Sequence, residues 1–282
     1  MPQRICVTGA SGRAGQVTVA ELLAHGYDVL ATDLVKPAAS LGTDMLLADL
    51  TDYGQAAEVV AGVDAVVHLA NIPAPGIHTP AVTFNANMAM NGNVFLAAAH
   101  AGVERVVWAS SETTLGLPFD VPPRYAPVDE DHYPVPTTTY ALSKVASETV
   151  AGHISQWSDI PFTALRFSNI LGPAEYGQFP GYWPDAQLRR WNLWGYIDER
   201  DAAAACRLAL EADVTGAQSF VIAAADTVMN RTSADLLAEV FPGVPLREGT
   251  GEFGSLLATG RARAALGWEP RHSWRDHLPA GG

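Results

Sequence analysis

Short uninterrupted apolar runs alternate along this chain with longer stretches of helical periodicity. RICVTG, YDVLATD, DMLLAD, DAVVHLA, RVVWASS, FTALRFSN and SFVIAAA read as strands. Their continuous apolar character, rich in Val, Leu and Ile, suits strands covered on both faces, as in a parallel sheet wrapped by helices. The predicted fold is therefore α/β, a doubly wound parallel sheet. Residues 1–172 are expected to form the core of that sheet. Residues 173–282 are expected to supply a small cap and elements that return to that core. The longest irregular stretch, residues 112–137, carries six prolines and stops at a well-marked helix start before Tyr140. Long loops in compact domains tend to be functional.

The first strand runs into TGASGRAG, with Gly9, Gly12 and Gly15 at the strand-to-helix turn and Ser11 and Arg13 between them. Glycines there allow a tight turn and close backbone approach to a pyrophosphate at the positive end of the following helix. Asp33, at the end of the second strand, is placed to bond the adenosine ribose hydroxyls of NAD and to repel the 2′-phosphate of NADP. Arg13 leaves the opposite choice open, since it lies in the same loop. Asp49 and Leu50 are expected beside the adenine, and Leu69, Ala70 and Asn71 of HLAN beneath the cofactor.

In YALSK, Tyr140 and Lys144 stand four residues apart and so share one helix face. A phenol is a poor base at neutral pH, but a neighbouring ammonium and a positive nicotinamide favour the phenolate, which exchanges a proton with a substrate hydroxyl. Ser111, at the end of the fifth strand, can donate to the substrate oxygen, or can simply cap the turn there.

Composition narrows the partner. The 282 residues are 48% hydrophobic, enough for a large core, and no apolar run reaches the roughly 18 residues of a membrane span. The start MPQRICVTGA passes directly into a strand, so a cytoplasmic protein is expected. Cys6 and Cys206 suggest neither a disulfide framework nor a metal site. A formal charge of −13 disfavours nucleic acid and acidic membranes, which leaves a small molecule as the expected partner.

The glycine motif, Asp33, ADL at 48–50, HLAN at 68–71, WASS at 108–111, YALSK and LRFSNILGP at 165–173 together resemble the extended short-chain dehydrogenase/reductases, the NAD-dependent epimerase/dehydratase family. The resemblance covers nearly the whole chain. It implies a Ser111, Tyr140 and Lys144 catalytic trio, with Lys144 also reaching the nicotinamide ribose. It further implies NAD as cofactor, Asn87 near that cofactor, and a substrate side formed by Ser111, Glu112, Thr113 and Asn169. Arg189 and Arg190 in the cap are candidates to meet an anion. Two departures stand out: Met90-Asn91 replace the family's Gly-Thr pair, and Glu112-Thr113 stand where uronate dehydrogenases have Asn-His.

The cap is short for a nucleotide-sugar enzyme and nearer in size to uronate and simple sugar dehydrogenases. Tyr176, Phe179, Tyr182, Trp183, Trp191 and Trp194 can stack on a sugar ring or form a satellite core. The resulting expectation is an NAD-dependent oxidoreductase acting on a secondary alcohol or ketone of a sugar-like molecule. An NAD-retaining sugar or nucleotide-sugar epimerase and a non-catalytic NAD sensor are the alternatives, and a proton-shuttling trio argues against the sensor. The helical runs near 80–100 and 138–158 resemble the family's dimer-forming pair, so a homodimer is expected, with Val94, Leu96, Val145 and Val150 as its apolar surface.

Overall fold

The computed structural model describes residues 3–119, 121–132 and 134–278. Seven strands lie parallel in one sheet: β1 (Arg4–Thr8), β2 (Asp28–Asp33), β3 (Asp44–Leu47), β4 (Ala65–His68), β5 (Arg105–Ser111), β6 (Phe162–Phe167) and β9 (Ala217–Ile222). Their order is β3-β2-β1-β4-β5-β6-β9. Between them come α1 (Arg13–Ala24), α2 (Tyr53–Val60), α3 (Pro80–Ala101), α4 (Thr139–Ser158) and α5 (Glu199–Glu211). The order reverses between β1 and β4, and the crevice at such a switch point, beyond the strands' C-terminal ends, is where this architecture binds ligands.

All seven predicted strands form. Covering on both faces, however, fails at β3, where Leu46 is 49% exposed and Leu47 53%. β3 is an edge strand, so only one side of it finds a neighbour.

The two faces of the sheet bury separate apolar clusters. One joins Ile5, Val7, Val67 and Leu165 to Val19 and Leu22 of α1 and Cys206 of α5. The other joins Val66, Val106 and Phe162 to Val94 and Phe95 of α3 and Ile154 of α4. Val94 is therefore core and not dimer surface; Leu96 and Val150 are only partly buried against the same cluster. Burial pushes the Cys6 and Cys206 thiols up to about 12, which leaves both unreactive at neutral pH.

A third cluster lies beyond the C-terminal ends of the strands. It unites the 112–137 loop (Leu115, Leu117, Val128), the cap (Tyr176, Phe179, Trp194) and later segments (Leu236, Phe241, Trp274). The cap itself is two 3-10 turns, Pro173–Gly181 and Ala186–Asn192, beside a two-stranded parallel sheet of β7 (Ile170–Leu171) and β8 (Ile197–Asp198). Two short helices, α6 (Ser233–Val240) and α7 (Gly260–Leu266), complete the chain's regular structure. Among the described residues no helix is long and apolar enough to cross a membrane.

Candidate active site

A cavity of about 1280 Å³ runs along the strands' C-terminal ends, lined by Gly9 after β1, Asp33 of β2, Leu69 and Ala70 after β4, Ser111 of β5 and Phe167 of β6. Single small-molecule pockets are usually about 300–1,000 Å³, so this one has room for a cofactor and a second molecule.

Its cofactor arm begins at the glycine loop. Gly9 has φ +69°, and a Cβ there would lie 2.6 Å from the backbone nitrogen of Ala70; a Cβ on Gly15 would lie 2.0 Å from the carbonyl oxygen of Gly9. Only glycine fits either position. Gly12 caps α1 without any side-chain hydrogen bond, and the first turn holds no acidic residue, so the helix's leading N–H groups face the cavity unclaimed by a side chain. That arrangement fits a diphosphate.

Asp33 is held by backbone N–H groups, Ser11 donating to Oδ2 at 2.9 Å and Leu34 to Oδ1 at 2.7 Å. Arg13 lines the cavity, but its guanidinium is forked onto Glu175 of the cap, with Nη2 donating to Oε1 at 2.6 Å and Nη1 to Oε2, and Glu199 lies 3.8 Å away. The one arginine of the glycine loop is thus engaged by carboxylates, and Asp33 lines the cavity beside it.

Ser11, Gly12, Asp49, Leu50 and Asn71 also line the cavity, as do Glu112, Thr113 and Asn169 on its other arm. Asn87, expected at the cofactor, does not: it is buried behind the wall, accepting from the Ile72 N–H at 2.8 Å and donating to the Ile72 carbonyl at 3.1 Å. It braces the wall instead of forming it.

The trio converges at the middle of the cavity. Tyr140 and Lys144 lie on the inner face of α4, started by Thr138, whose hydroxyl accepts from the Ala141 N–H at 3.1 Å. Ser111 ends β5; its oxygen accepts from the Thr113 N–H at 3.2 Å and the Thr113 hydroxyl at 3.0 Å. Those two bonds aim the remaining Ser111 proton at the Tyr140 phenol, with which it hydrogen-bonds. Lys144 Nζ is 5.6 Å from the centre of the Tyr140 ring.

The expected phenolate is not what this cavity favours on its own. Burial pushes the Tyr140 phenol up to about 12, against the Ser111 hydrogen bond, and burial pulls the Lys144 ammonium down to about 7. Desolvation dominates at the phenol, and the Glu112 charge adds to it. Among these groups alone the phenol keeps its proton, and a positive charge beside it would favour the proton's release. Bound NAD would supply that charge and accept the hydride.

The substrate arm holds a buried acid. Glu112 is 3% exposed, and burial drives its carboxyl up to about 7, opposed by the nearby Ser168 hydroxyl, by the Asn192 amide and by the Arg189 charge. Asn192 Nδ2 stands 3.4 Å from Glu112 Oε1. Arg189 is buried behind the cavity wall, donating to the Gly195 carbonyl at 3.0 Å, with its guanidinium over the Tyr182 and Trp191 rings. Arg190 is exposed and outside the lining. Neither arginine lines the cavity to receive an anion.

Of the cap aromatics only Trp191 faces the cavity. Tyr176, Phe179 and Trp194 are buried in the third cluster, with Tyr182 and Trp183 packed against it. The satellite core is thus the role most of them serve. Leu193 and Trp194 adopt φ of +54° and +57°, a left-handed pair that burial of the Trp194 ring and its N–H bond to the Ala186 carbonyl (2.8 Å) hold in place.

Met90 and Ser168 also line the cavity without having been singled out as site residues, although Met90 is half of the Met90-Asn91 departure and Ser168 lies within LRFSNILGP.

Residues 5–223 match the NAD dependent epimerase/dehydratase family. An NAD-dependent glucose-6-phosphate dehydrogenase of Haloferax volcanii is 30% identical over 200 residues, 65% of this chain and 76% of that protein. A UDP-glucose 4-epimerase of Corynebacterium glutamicum is 25% identical over 312 aligned positions, covering 96% of this chain and 92% of its own. A short-chain dehydrogenase/reductase superfamily protein from Agrobacterium tumefaciens with bound NAD superposes with a TM-score of 0.75 at 23% identity, over 96% of this chain and 94% of that one. With the glycine cradle, Asp33 and the Ser111, Tyr140 and Lys144 trio in one cavity and the family match over residues 5–223, this chain belongs to the NAD-dependent epimerase/dehydratase family.

Proposed function

We propose that the protein is an NAD-dependent dehydrogenase that interconverts a secondary alcohol and a ketone on an uncharged, hydroxyl-rich small molecule such as a sugar. The observation that carries this reading is the buried Glu112 on the substrate side of the Ser111–Tyr140 pair. A carboxyl there accepts or donates a hydrogen bond to a hydroxyl but repels a substrate carboxylate or phosphate when ionised. The cations that line the cavity, Arg13 and Lys144, are already held by Glu175 and by Asn71 and the Ala109 carbonyl. A nucleotide-sugar diphosphate would thus find no arginine lining the substrate arm among the described residues.

A sugar epimerase that keeps its NAD is the second reading, favoured by the alignment with an epimerase over 96% of this chain. Incubation with NAD and a panel of sugars, sugar acids, sugar phosphates and nucleotide sugars separates the two. NADH accumulating with a neutral sugar is the expected result. A changed sugar without NADH identifies the epimerase, and silence across the panel leaves a non-catalytic NAD sensor.

The protein also reads as a cytoplasmic homodimer joined through α3 and α4. Leu142 and Trp157 stand out on the outer stripe of α4, 44% and 67% exposed. A monomer mass by light scattering at micromolar concentration would refute the dimer.

A further inference from the structure

Lys144 is 1% exposed, and two of its three N–H groups are taken by neutral oxygens, Asn71 Oδ1 at 2.8 Å and the Ala109 carbonyl at 2.7 Å. Asn71 is not free to turn. Its Nδ2 donates to Asn91 Oδ1 at 2.7 Å and to the Ala70 carbonyl. Asn91 Oδ1 accepts a second bond from His68 Nε2 at 2.9 Å, while Asn91 Nδ2 donates to Ser147 Oγ at 2.8 Å. His68 Nδ1 and the Thr8 hydroxyl are 2.7 Å apart, and the Thr8 oxygen accepts the N–H groups of Leu69 and Ala70, each at 3.2 Å.

The polarity of this chain follows from its end. An ammonium only donates, so Asn71 must present its oxygen to Lys144 and its nitrogen to Asn91. Asn91 must then present oxygen, His68 must carry its proton on Nε2, and the Thr8 hydroxyl must donate to Nδ1. Every link is satisfied in one sense only, and buried networks completed in this way hold their members rigidly.

We infer that Asn71, braced by Asn91, is the positioning residue for Lys144, fixing the ammonium beneath Tyr140 and leaving its third N–H for the cavity. This goes beyond a place for Asn71 under the cofactor, and it gives the Met90-Asn91 departure a purpose: Asn91 is the hub that locks the amide.

The groups around Lys144 are few. Glu148, one turn along α4, favours the ammonium. His68 on β4 is held neutral, burial bringing it down to about 3. Tyr140 is a neutral phenol, and the Trp108 ring of β5 lies 5.9 Å from Nζ. No carboxylate hydrogen-bonds to Lys144 among the described residues, so the Asn71 oxygen is a principal stabiliser of its charge.

The sequence provides a direct test, because Lys36 and Lys144 are its only lysines. Carbon-13 labelling at the lysine ε position gives two resonances, and Lys36→Arg identifies the exposed one. The Lys144 resonance is then titrated in the unmodified protein, in Asn71→Ala and in Asn71→Asp. Loss of the acceptor should lower the Lys144 midpoint by about one pH unit, and the isosteric carboxylate should raise it by about as much. A midpoint unmoved by both substitutions overturns the inference. Should Asn71→Ala fail to fold, Asn71→Asp decides alone: a raised midpoint supports the assignment and an unchanged one sinks it.

The inference rests on the reading of Lys144 as the ammonium that serves Tyr140, but the titration needs no turnover. A silent sugar panel with an Asn71-dependent midpoint would overturn only the proposed activity. An active enzyme with an Asn71-independent midpoint would overturn only this assignment.

Discussion

Replacing Glu112 by glutamine keeps the side chain's shape and removes its titration. In the unfolded chain this carboxyl ionises near the ordinary 4.5, whereas in the folded protein burial holds it protonated up to about 7. Between those values the folded state binds more protons than the unfolded one, so stability contributed at low pH is lost as pH rises through the window. The displacement is worth about 3 kcal/mol in total, of which about 2 to 3 kcal/mol falls between pH 5 and pH 8. Glutamine has no such loss, and its amide nitrogen has an acceptor to hand in Asn192 Oδ1, which is buried without a hydrogen-bond partner. The unfolding free energy of Glu112→Gln minus that of the unmodified protein should therefore grow by about 2 to 3 kcal/mol from pH 5 to pH 8. Urea melts followed by fluorescence of the seven tryptophans measure it directly, and all other titrating groups cancel in the difference. Parallel pH profiles for the two proteins would show that Glu112 is not the desolvated acid described here. With the substrate identified, the same variant should turn it over more slowly and improve on a carboxylate-bearing analogue.

Three further outcomes follow from the cavity. Tyr140→Phe should lower kcat by about 10²–10⁴-fold, the usual value of a positioned acid or base, while NAD affinity measured by calorimetry stays within a few-fold. Glu175→Gln loosens the fork on Arg13 and should raise NADP affinity relative to NAD, since a free guanidinium in the glycine loop can pair with a 2′-phosphate; an unchanged affinity ratio by calorimetry refutes that account. Gly15→Ala forces a methyl to within 2.0 Å of the Gly9 carbonyl and should abolish NAD binding, so retained binding would mean that the loop adapts.

What the sequence made legible was local or periodic. Seven apolar runs became seven strands because a strand buried by helices on both faces must be apolar throughout, and only edge strand β3 broke the inference. The glycine loop and the Tyr140–Lys144 pair each lie within one turn of chain, so spacing sufficed. The cap was opaque for a geometric reason. Arg189 and Arg190 are neighbours in a 3-10 turn, one buried and the other exposed, and nothing in their order says which. Glu112 was singled out, but the groups that act on its buried carboxyl, Ser168, Asn192 and Arg189, come 56 or more positions later in the sequence. Asn91 lay hidden as a departure from a motif because its partners, His68, Asn71 and Ser147, come from two other segments of the chain. The phenolate expectation counted on the lysine and the nicotinamide together, and a sequence does not show how far burial opposes them.

The proline-rich loop that leads into the Tyr140 helix is tied not to its own half of the chain but to residues far downstream. Ala126 bonds to the Pro245 carbonyl, Arg247 to the Ala126 carbonyl, Val128 to the Leu256 carbonyl and Ala258 to the Val128 carbonyl, at 2.7 to 3.0 Å. During synthesis, then, β1, β2 and β4, which carry the glycine loop, Asp33 and the Leu69–Asn71 stretch, are complete once the chain reaches His68, long before the segment that fastens this loop. Contacts so distant in sequence form late. A growing chain would thus complete the strands under its glycine loop first and fasten the loop that leads into the Tyr140 helix only near the end of translation.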